Sequence, residues 1–437
     1  MTRNFRLALF VFALLPGLVS AQGGDDTARP IPLEEAVRLA VQNSPFTVQS
    51  RGALRVGGLT TTNALAQFLP FVGVRASANN SSSASFFQGQ FVPYTGPPWN
   101  YSKGYGASLT LFDGGRRWFN YRAAQANQVA NVEGDLLARF QVALSVKQQY
   151  FAVLAAHETE AAAQRQLEQA DQDLRVSSAK MAAGAAMRSD SLRSAISVGT
   201  ARLALINAQN NLQVANASLT RLVASPVAVT AVTADTSEVP HIELDSAELG
   251  RLAENGPSVR QAVAALDAAR GGRRAALTSY LPTVSTSYNY STNTISQDYN
   301  WGGGPGSKNT SYGFSLSFNI FDNFGRELNV MTAAVNEESA DATLRDARLG
   351  ARQNLVTFLA AYRAAVQTID LQLLQIAFAE EDLHTWQSRY ALGASALLDV
   401  LTSQASLDGQ RAQLISARLQ ARTAKAQIEA LVGRELK

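Results

Sequence analysis

The chain contains no cysteine, so neither a disulfide framework nor a thiolate metal site is open to it, and no N-terminal cysteine is present to carry a lipid. It has three histidines, His157, His241 and His384, scattered without ligand spacing. Zinc chemistry and a His-based catalytic triad are therefore not expected. Charge of one sign is also missing. The formal net charge is +3 and falls to +1 when Arg3 and Arg6 are set aside, which argues against a nucleic-acid partner. Beyond the first twenty residues no stretch has eighteen consecutive apolar residues, so a transmembrane helix is not expected. That leaves a β-barrel, whose signal per strand is far weaker, as the possible membrane form.

The first residues do show a targeting pattern. Arg3 and Arg6 precede a short apolar run interrupted by Pro16, and Val19-Ser20-Ala21 ends it with small residues, so residues 1–21 are expected to be a cleaved signal peptide.

The rest of the chain is written twice. Tyr390 to Gly393, then Leu398-Asp399-Val400-Leu401, then a long Ala/Gln/Leu run to Gly433 repeat Met181 to Gly184, Ser189 to Leu192, and the run to Val223, with an offset of 209 residues. Phe112-Asp113 and Phe321-Asp322 keep the same offset. The expected organisation is a first repeat over 22–223, a linker over 224–244 and a second repeat over 245–437.

Each repeat opens with a short amphipathic helix (Leu33 to Ala40; Glu248 to Glu254) and continues with a helix between two prolines (Pro45 to Pro70; Pro257 to Pro282). Beyond the second proline the period changes from 3.6 to 2. The alternation is sharpest where Tyr312, Phe314, Leu316, Phe318 and Ile320 share one face and Gly313, Ser315, Ser317 and Asn319 share the other. Strands are expected near 70–80, 104–112, 282–291 and 311–321, with the irregular polar stretches 81–102 and 291–309 as loops. After the Phe-Asp pairs the pattern is helical over 116–223 and 325–433. Leu355, Leu359, Tyr362, Val366, Ile369, Leu373, Ile376, Leu383, Trp386 and Tyr390 fall at steps of 4, 3, 4, 3, 4, 3, 7, 3 and 4, the seam of a left-handed coiled coil. Gly184 and Gly393 mark the two turns.

Four strands per chain cannot close a barrel, and open edges in hydrocarbon leave backbone groups unpaired at several kcal/mol each. Membrane strands of this number therefore require sister chains, and the residues alone admit two chains or three.

The opening Leu33-Glu-Glu-Ala with Asn43-Ser-Pro45, the Phe-Leu-Pro70 and Tyr-Leu-Pro282 steps, the Leu-Phe-Asp113-Gly-Gly turn, and Tyr390-x-x-Gly393 with Asp399-Val-Leu401-x-x-Gln404 together resemble the TolC-type outer membrane efflux ducts. The resemblance covers nearly the whole chain beyond residue 21. It implies an α+β fold in which three copies share a twelve-stranded barrel in the outer membrane, continued through the periplasm by a barrel of antiparallel coiled-coil helices. It implies a passive duct, not an enzyme and without a cofactor, that contacts outer-membrane lipid and serves an inner-membrane transporter through a periplasmic adaptor. The adaptor would meet the turns holding Gly184 and Gly393. Asp399 matches the first acidic position of the periplasmic aperture, Thr402 stands where some members carry a second Asp, Asp190 and Tyr390 match a pair that bond in the closed mouth, and Ser395 replaces a neighbouring Arg. Three Asp399 carboxylates about one axis would repel, raise one another's pKa and attract cations. The plainer reading of Asp190 and Asp399 is that they cap the returning helices.

Gly302 to Lys308 hints at a phosphate loop, but Ser307 replaces the glycine that must precede the lysine and the strand-to-helix setting is missing. The competing function is a structural or adhesive coiled coil that spans the periplasm without a channel.

Overall fold

The computed structural model describes residues 28–81, 84–87, 89–93, 96–232, 242, 245–299 and 306–436. The segment expected to be a signal peptide, the Gly-rich loop before Gly306, His241 and most of the linker lie outside the described residues.

The first repeat runs β1 (Arg29–Ile31), α1 (Leu33–Asn43), α2 (Pro45–Ala66), β2 (Phe71–Asn80), β3 (Ala84–Phe87), β4 (Gln90–Pro93), β5 (Trp99–Phe112), α3 (Arg116–Ala182) and α4 (Arg188–Val223). After β6 (Val229–Ala231) the second repeat follows as α5 (Ser246–Glu254), α6 (Pro257–Leu277), a 3₁₀ turn, β7 (Thr283–Ser296), β8 (Ser307–Ser317), α7 (Gly325–Ala391) and α8 (Leu397–Val432). Pro45 and Pro257 occupy the first turns of α2 and α6, where a missing N–H costs nothing and the fixed φ is already helical.

The four long strands form one antiparallel sheet in the order β2-β5-β7-β8. The register aligns Val74, Tyr105 and Tyr290 on one face, and Tyr288 with Tyr312 beside them. The Tyr105 and Tyr290 rings stack with centroids 5.1 Å apart, and the Tyr288 and Tyr312 rings meet at the same separation but tilted by 53°. Val74 is 88% exposed and Phe314 80%, so the apolar face of the sheet packs against nothing among the described residues. Gly73, Arg75, Ser287, Asn289 and Ser315 line the opposite face.

Three expectations about this sheet are corrected. β5 begins at Trp99 and β8 at Ser307, both earlier than the apolar alternation suggested, because the ladder continues through Asn, Thr and Ser. β8 ends at Ser317, not near 321: the last pair is Thr283↔Ser317, and the residue before Thr283 is Pro282, which has no N–H to donate. The stretch 81–102 is not one loop, since β3 and β4 make a hairpin of their own.

Below the sheet, α3 and α7 each run 67 residues, about 100 Å at 1.5 Å per residue. Each begins at a duplicated cap. In the first copy Asp113, buried, accepts from the backbone N–H of Gly115 (3.2 Å) and Arg117 (3.2 Å) and from Arg117 Nε (3.0 Å). In the second, Asp322 accepts from the Arg326 N–H at 3.1 Å and pairs with its Nε at 3.4 Å, while its Oδ1 has no partner. The left-handed pair Gly114-Gly115 becomes Asn323-Phe324, with φ of 55° and 62°, a conformation a bulky side chain adopts only under constraint.

The two repeats also duplicate their cores. Val146, Leu219 and Val223 pack with Tyr150, Val153 and Val229 in one cluster. Leu355, Ile428 and Val432, each 209 residues on, pack with Leu249 and Leu436 in another. The coiled-coil seam of α7 differs from the expected one at two places. Ala365 and Gln372 are buried where Val366 and Leu373 were expected, and Leu373 is 46% exposed. Gln372 holds its place by donating to Gln413 Oε1 of α8 at 2.9 Å, which turns Leu373 to the outside. No helix among the described residues is long and apolar enough to cross a membrane.

Because Asp113 satisfies three donors while sheltered from water, Asp113→Ala should destabilise the chain by about 2–4 kcal/mol, and Asp322→Ala by less. Urea unfolding in detergent, followed by helix circular dichroism, measures both; equal losses would refute the asymmetry.

Candidate functional site

The helices of each hairpin meet at a tight turn far from the sheet, and these two turns hold every residue singled out in the sequence. Gly184 (φ 73°) and Gly393 (φ 76°) are left-handed, and the chain closes each helix by the same pair of bonds. Ala185 N donates to Lys180 O at 2.8 Å and Gly184 N to Met181 O at 3.0 Å; Ala394 N donates to Arg389 O at 2.9 Å and Gly393 N to Tyr390 O at 3.1 Å. These are Schellman endings, which glycine alone adopts without strain. Space around both glycines is open, and the tips carry exposed apolar side chains, Met187 at 75% and Leu392 at 85%.

Asp399 sits in the first turn of α8 and accepts from the Ala396 N–H at 3.1 Å, a capping bond that satisfies one otherwise orphaned donor. It stays half-buried. Asp190 occupies the equivalent first-turn position in α4. Thr402 is exposed, and its hydroxyl donates back to Leu398 O at 2.8 Å.

The expected bond between Asp190 and Tyr390 is not made. The Tyr390 hydroxyl is buried and has no hydrogen-bond partner among the described residues. Burial first, then the nearby negative charges of Asp190 and Asp173, push the phenol pKa up. A different residue holds Tyr390. Lys180, in the last turn of α3, places its ammonium 4.1 Å from the centre of the Tyr390 ring and donates to the Tyr390 carbonyl and, at 3.4 Å, to the Ala391 carbonyl. A cation over an aromatic face and against helix C-terminal carbonyls is favourable on both counts. Lys180 thus ties the end of the first hairpin to the end of the second. Sequence reading missed it, although the 209-residue offset pairs Lys180 with Arg389 and so places a cation in the last turn of both long helices.

One turn further from the tips the copies diverge. Asp382 in α7 accepts from Trp386 Nε1 (3.0 Å) and from Ser403 Oγ of α8 (2.6 Å). Its counterpart Asp173 has Ser177 in the place of Trp386, and Ser177 donates to Ser194 instead, at 2.9 Å. Asp173 is left with Gln169 at 3.2 Å, and burial raises its pKa. Asp408 of α8 is also raised by burial, against lowering by Gln404, Arg411 and Gln166. No group of three His, Cys, Asp or Glu residues among those described is placed to hold a metal. The site is a mechanical junction of two helix tips, edged by carboxylates.

A sequence profile of the outer membrane efflux protein family matches residues 37–225 and 249–434, one segment in each repeat. Among solved structures, the chain is similar to the outer membrane protein VceC of Vibrio cholerae at 19% identity, with a TM-score of 0.76, over 93% of this chain and 97% of that one. It is similar to the CmeC outer membrane channel of Campylobacter jejuni at 16% identity, TM-score 0.79, over 100% and 95%. It is also similar to the MtrE outer membrane channel of Neisseria gonorrhoeae, crystallised in its open state, at 20% identity, TM-score 0.76, over 93% and 89%. At these identities the likeness establishes the fold. No curated protein matches the chain in sequence.

A carboxyl whose pKa is raised in the folded chain favours folding in its protonated form, so Asp173 opposes folding above the raised value and has no effect below the ordinary value of 3.8. Asp173→Asn is therefore expected to raise the melting temperature at pH 7, the gain disappearing as the pH falls towards 3.8. Asp382→Asn should lower it at pH 7 by weakening the bonds from Trp386 and Ser403. Melting curves at pH 7 check both signs, and a pH series checks the Asp173 effect.

Proposed function

Because the chain belongs to the outer membrane efflux protein family and is an outer-membrane efflux duct, we propose that three copies assemble into one passive exit path, fed by an inner-membrane pump through a periplasmic adaptor. The observation that carries this reading is the four-stranded sheet, whose apolar face is bare and whose edges β2 and β8 have no partner among the described residues. A lone chain cannot keep such a sheet in hydrocarbon. Three copies give twelve strands, an even number within the range of outer-membrane barrels. The helical hairpins then form the periplasmic tunnel, and their tips form its mouth.

Within that mouth we assign Asp399 two compatible roles: a cap for α8 and one member of a ring of three carboxylates. Asp190, Tyr390 and Thr402 border the same aperture. The tips with Gly184 and Gly393 are the adaptor's docking points, where Met187 and Leu392 offer apolar side chains to a helical hairpin. A non-channel coiled coil would not leave Phe314 and Leu316 facing outward with nothing to cover them.

The capping and pore roles separate cleanly by substitution. Asparagine keeps an acceptor for the Ala396 N–H but removes the charge, so Asp399→Asn should leave thermal stability nearly unchanged while abolishing block of single-channel current by multivalent cations in planar bilayers. Asp399→Ala should lower both. Cation block that survives in Asp399→Asn would leave capping as the residue's whole role. Wild-type protein that inserts without conducting would contradict the duct.

A further inference from the structure

The 209-residue repeat makes α7 the copy of α3, and α8 the copy of α4. Within the chain α3 lies along α8, a seam carrying the pair Lys147–Glu429 at 2.6 Å, with both side chains largely buried. The repeat therefore implies a second seam, α7 along α4, which a single chain cannot make because those helices lie at its two opposite edges. The faces concerned are bare. Leu401 and Ile415 of α8 are partly buried, whereas their copies in α4, Leu192 and Ile206, are 55% and 53% exposed. On α7, Val356 is 69% exposed and Phe378 73%.

At the tip the intrachain seam is closed by Lys180 on the carbonyls of Tyr390 and Ala391. Carried through the repeat, Lys180 becomes Arg389, and those carbonyls become the ones of Met181 and Ala182. Arg389 is exposed, with its guanidinium 5.3 Å from the centre of its own Trp386 ring. The Met181 carbonyl already accepts from Gly184 N, as the Tyr390 carbonyl accepts from Gly393 N. A carbonyl has a second lone pair, and in the intrachain seam Lys180 uses it.

Taking that seam between subunits as part of the trimeric reading above, we propose that Arg389 closes it by donating to the backbone carbonyls of Met181 and Ala182 of the partner subunit. The inference rests on that reading and adds one specific bond to it. The occupant of the bare α7 face is a second copy of this chain. Six tips then form one ring of alternating Lys180 and Arg389 contacts, three within chains and three between them.

The absence of native cysteine makes the test direct. With a short bismaleimide, purified Lys180→Cys/Ala391→Cys protein should cross-link within the chain, changing gel mobility without forming oligomers. Arg389→Cys/Ala182→Cys protein should give covalent dimers and trimers on denaturing gels. Three-chain particles in which the first pair reacts and the second yields only monomers would overturn the Arg389 contact while leaving the duct intact. Particles that do not contain three chains would overturn both. As a readout that needs no cysteine, Arg389→Gln should lower the temperature at which detergent-treated trimers dissociate, and Arg389→Lys should retain most of it. A dissociation temperature unmoved by Arg389→Gln contradicts the bond.

Discussion

A strand in hydrocarbon must have both of its backbone edges paired, and the rest of this structure follows from that requirement. β5 and β7 meet it inside the chain; among the described residues β2 and β8 do not. Each unpaired group in lipid costs several kcal/mol, far more than the tenths of a kcal/mol that a cross-strand side-chain pair returns. On the proposed trimer, assembly is therefore a condition of folding in the membrane and not a later association of finished subunits.

The same incompleteness recurs in the helices. One hairpin covers one face of its neighbour and leaves the opposite face bare, and the internal repeat means that every contact between the halves has an unmet counterpart. The sheet and the hairpins are thus incomplete in the same sense, and the proposed trimer supplies what both lack. The buried clusters around Val146 and Leu355 hold each repeat together without closing it. The caps at Asp113 and Asp322 fix the angle at which a strand becomes a helix. At the tips Lys180 bridges the two halves through a ring and two carbonyls.

Much of this was legible in the residues because repetition and period are global signals. The alternation from Tyr312 to Leu316 and the steps of three and four along α7 were readable without coordinates, and so were the turns at Gly184 and Gly393. Strand ends were not, since ladder hydrogen bonds ignore side-chain polarity: β5 runs on to Trp99 through Asn and Ser, and β8 stops where Pro282 ends its partner. The seam at Gln372 was hidden because a buried glutamine becomes acceptable only with Gln413 opposite it. At the tips, the Lys180 contact joins residues 210 positions apart, and no local pattern announces it. The Tyr390 hydroxyl has no partner among the described residues, and side-chain identity at two matching positions does not by itself make the bond expected between Asp190 and Tyr390.

Hydrogen exchange at the two outer strands tests the central claim most directly. In the assembled protein in detergent or lipid, amides of β2 and β8 should be protected as well as those of β5 and β7, because each outer strand is an inner strand of the shared barrel. Exchange of the β2 and β8 edges at the rate of open strands, in a particle that still conducts, would contradict the account.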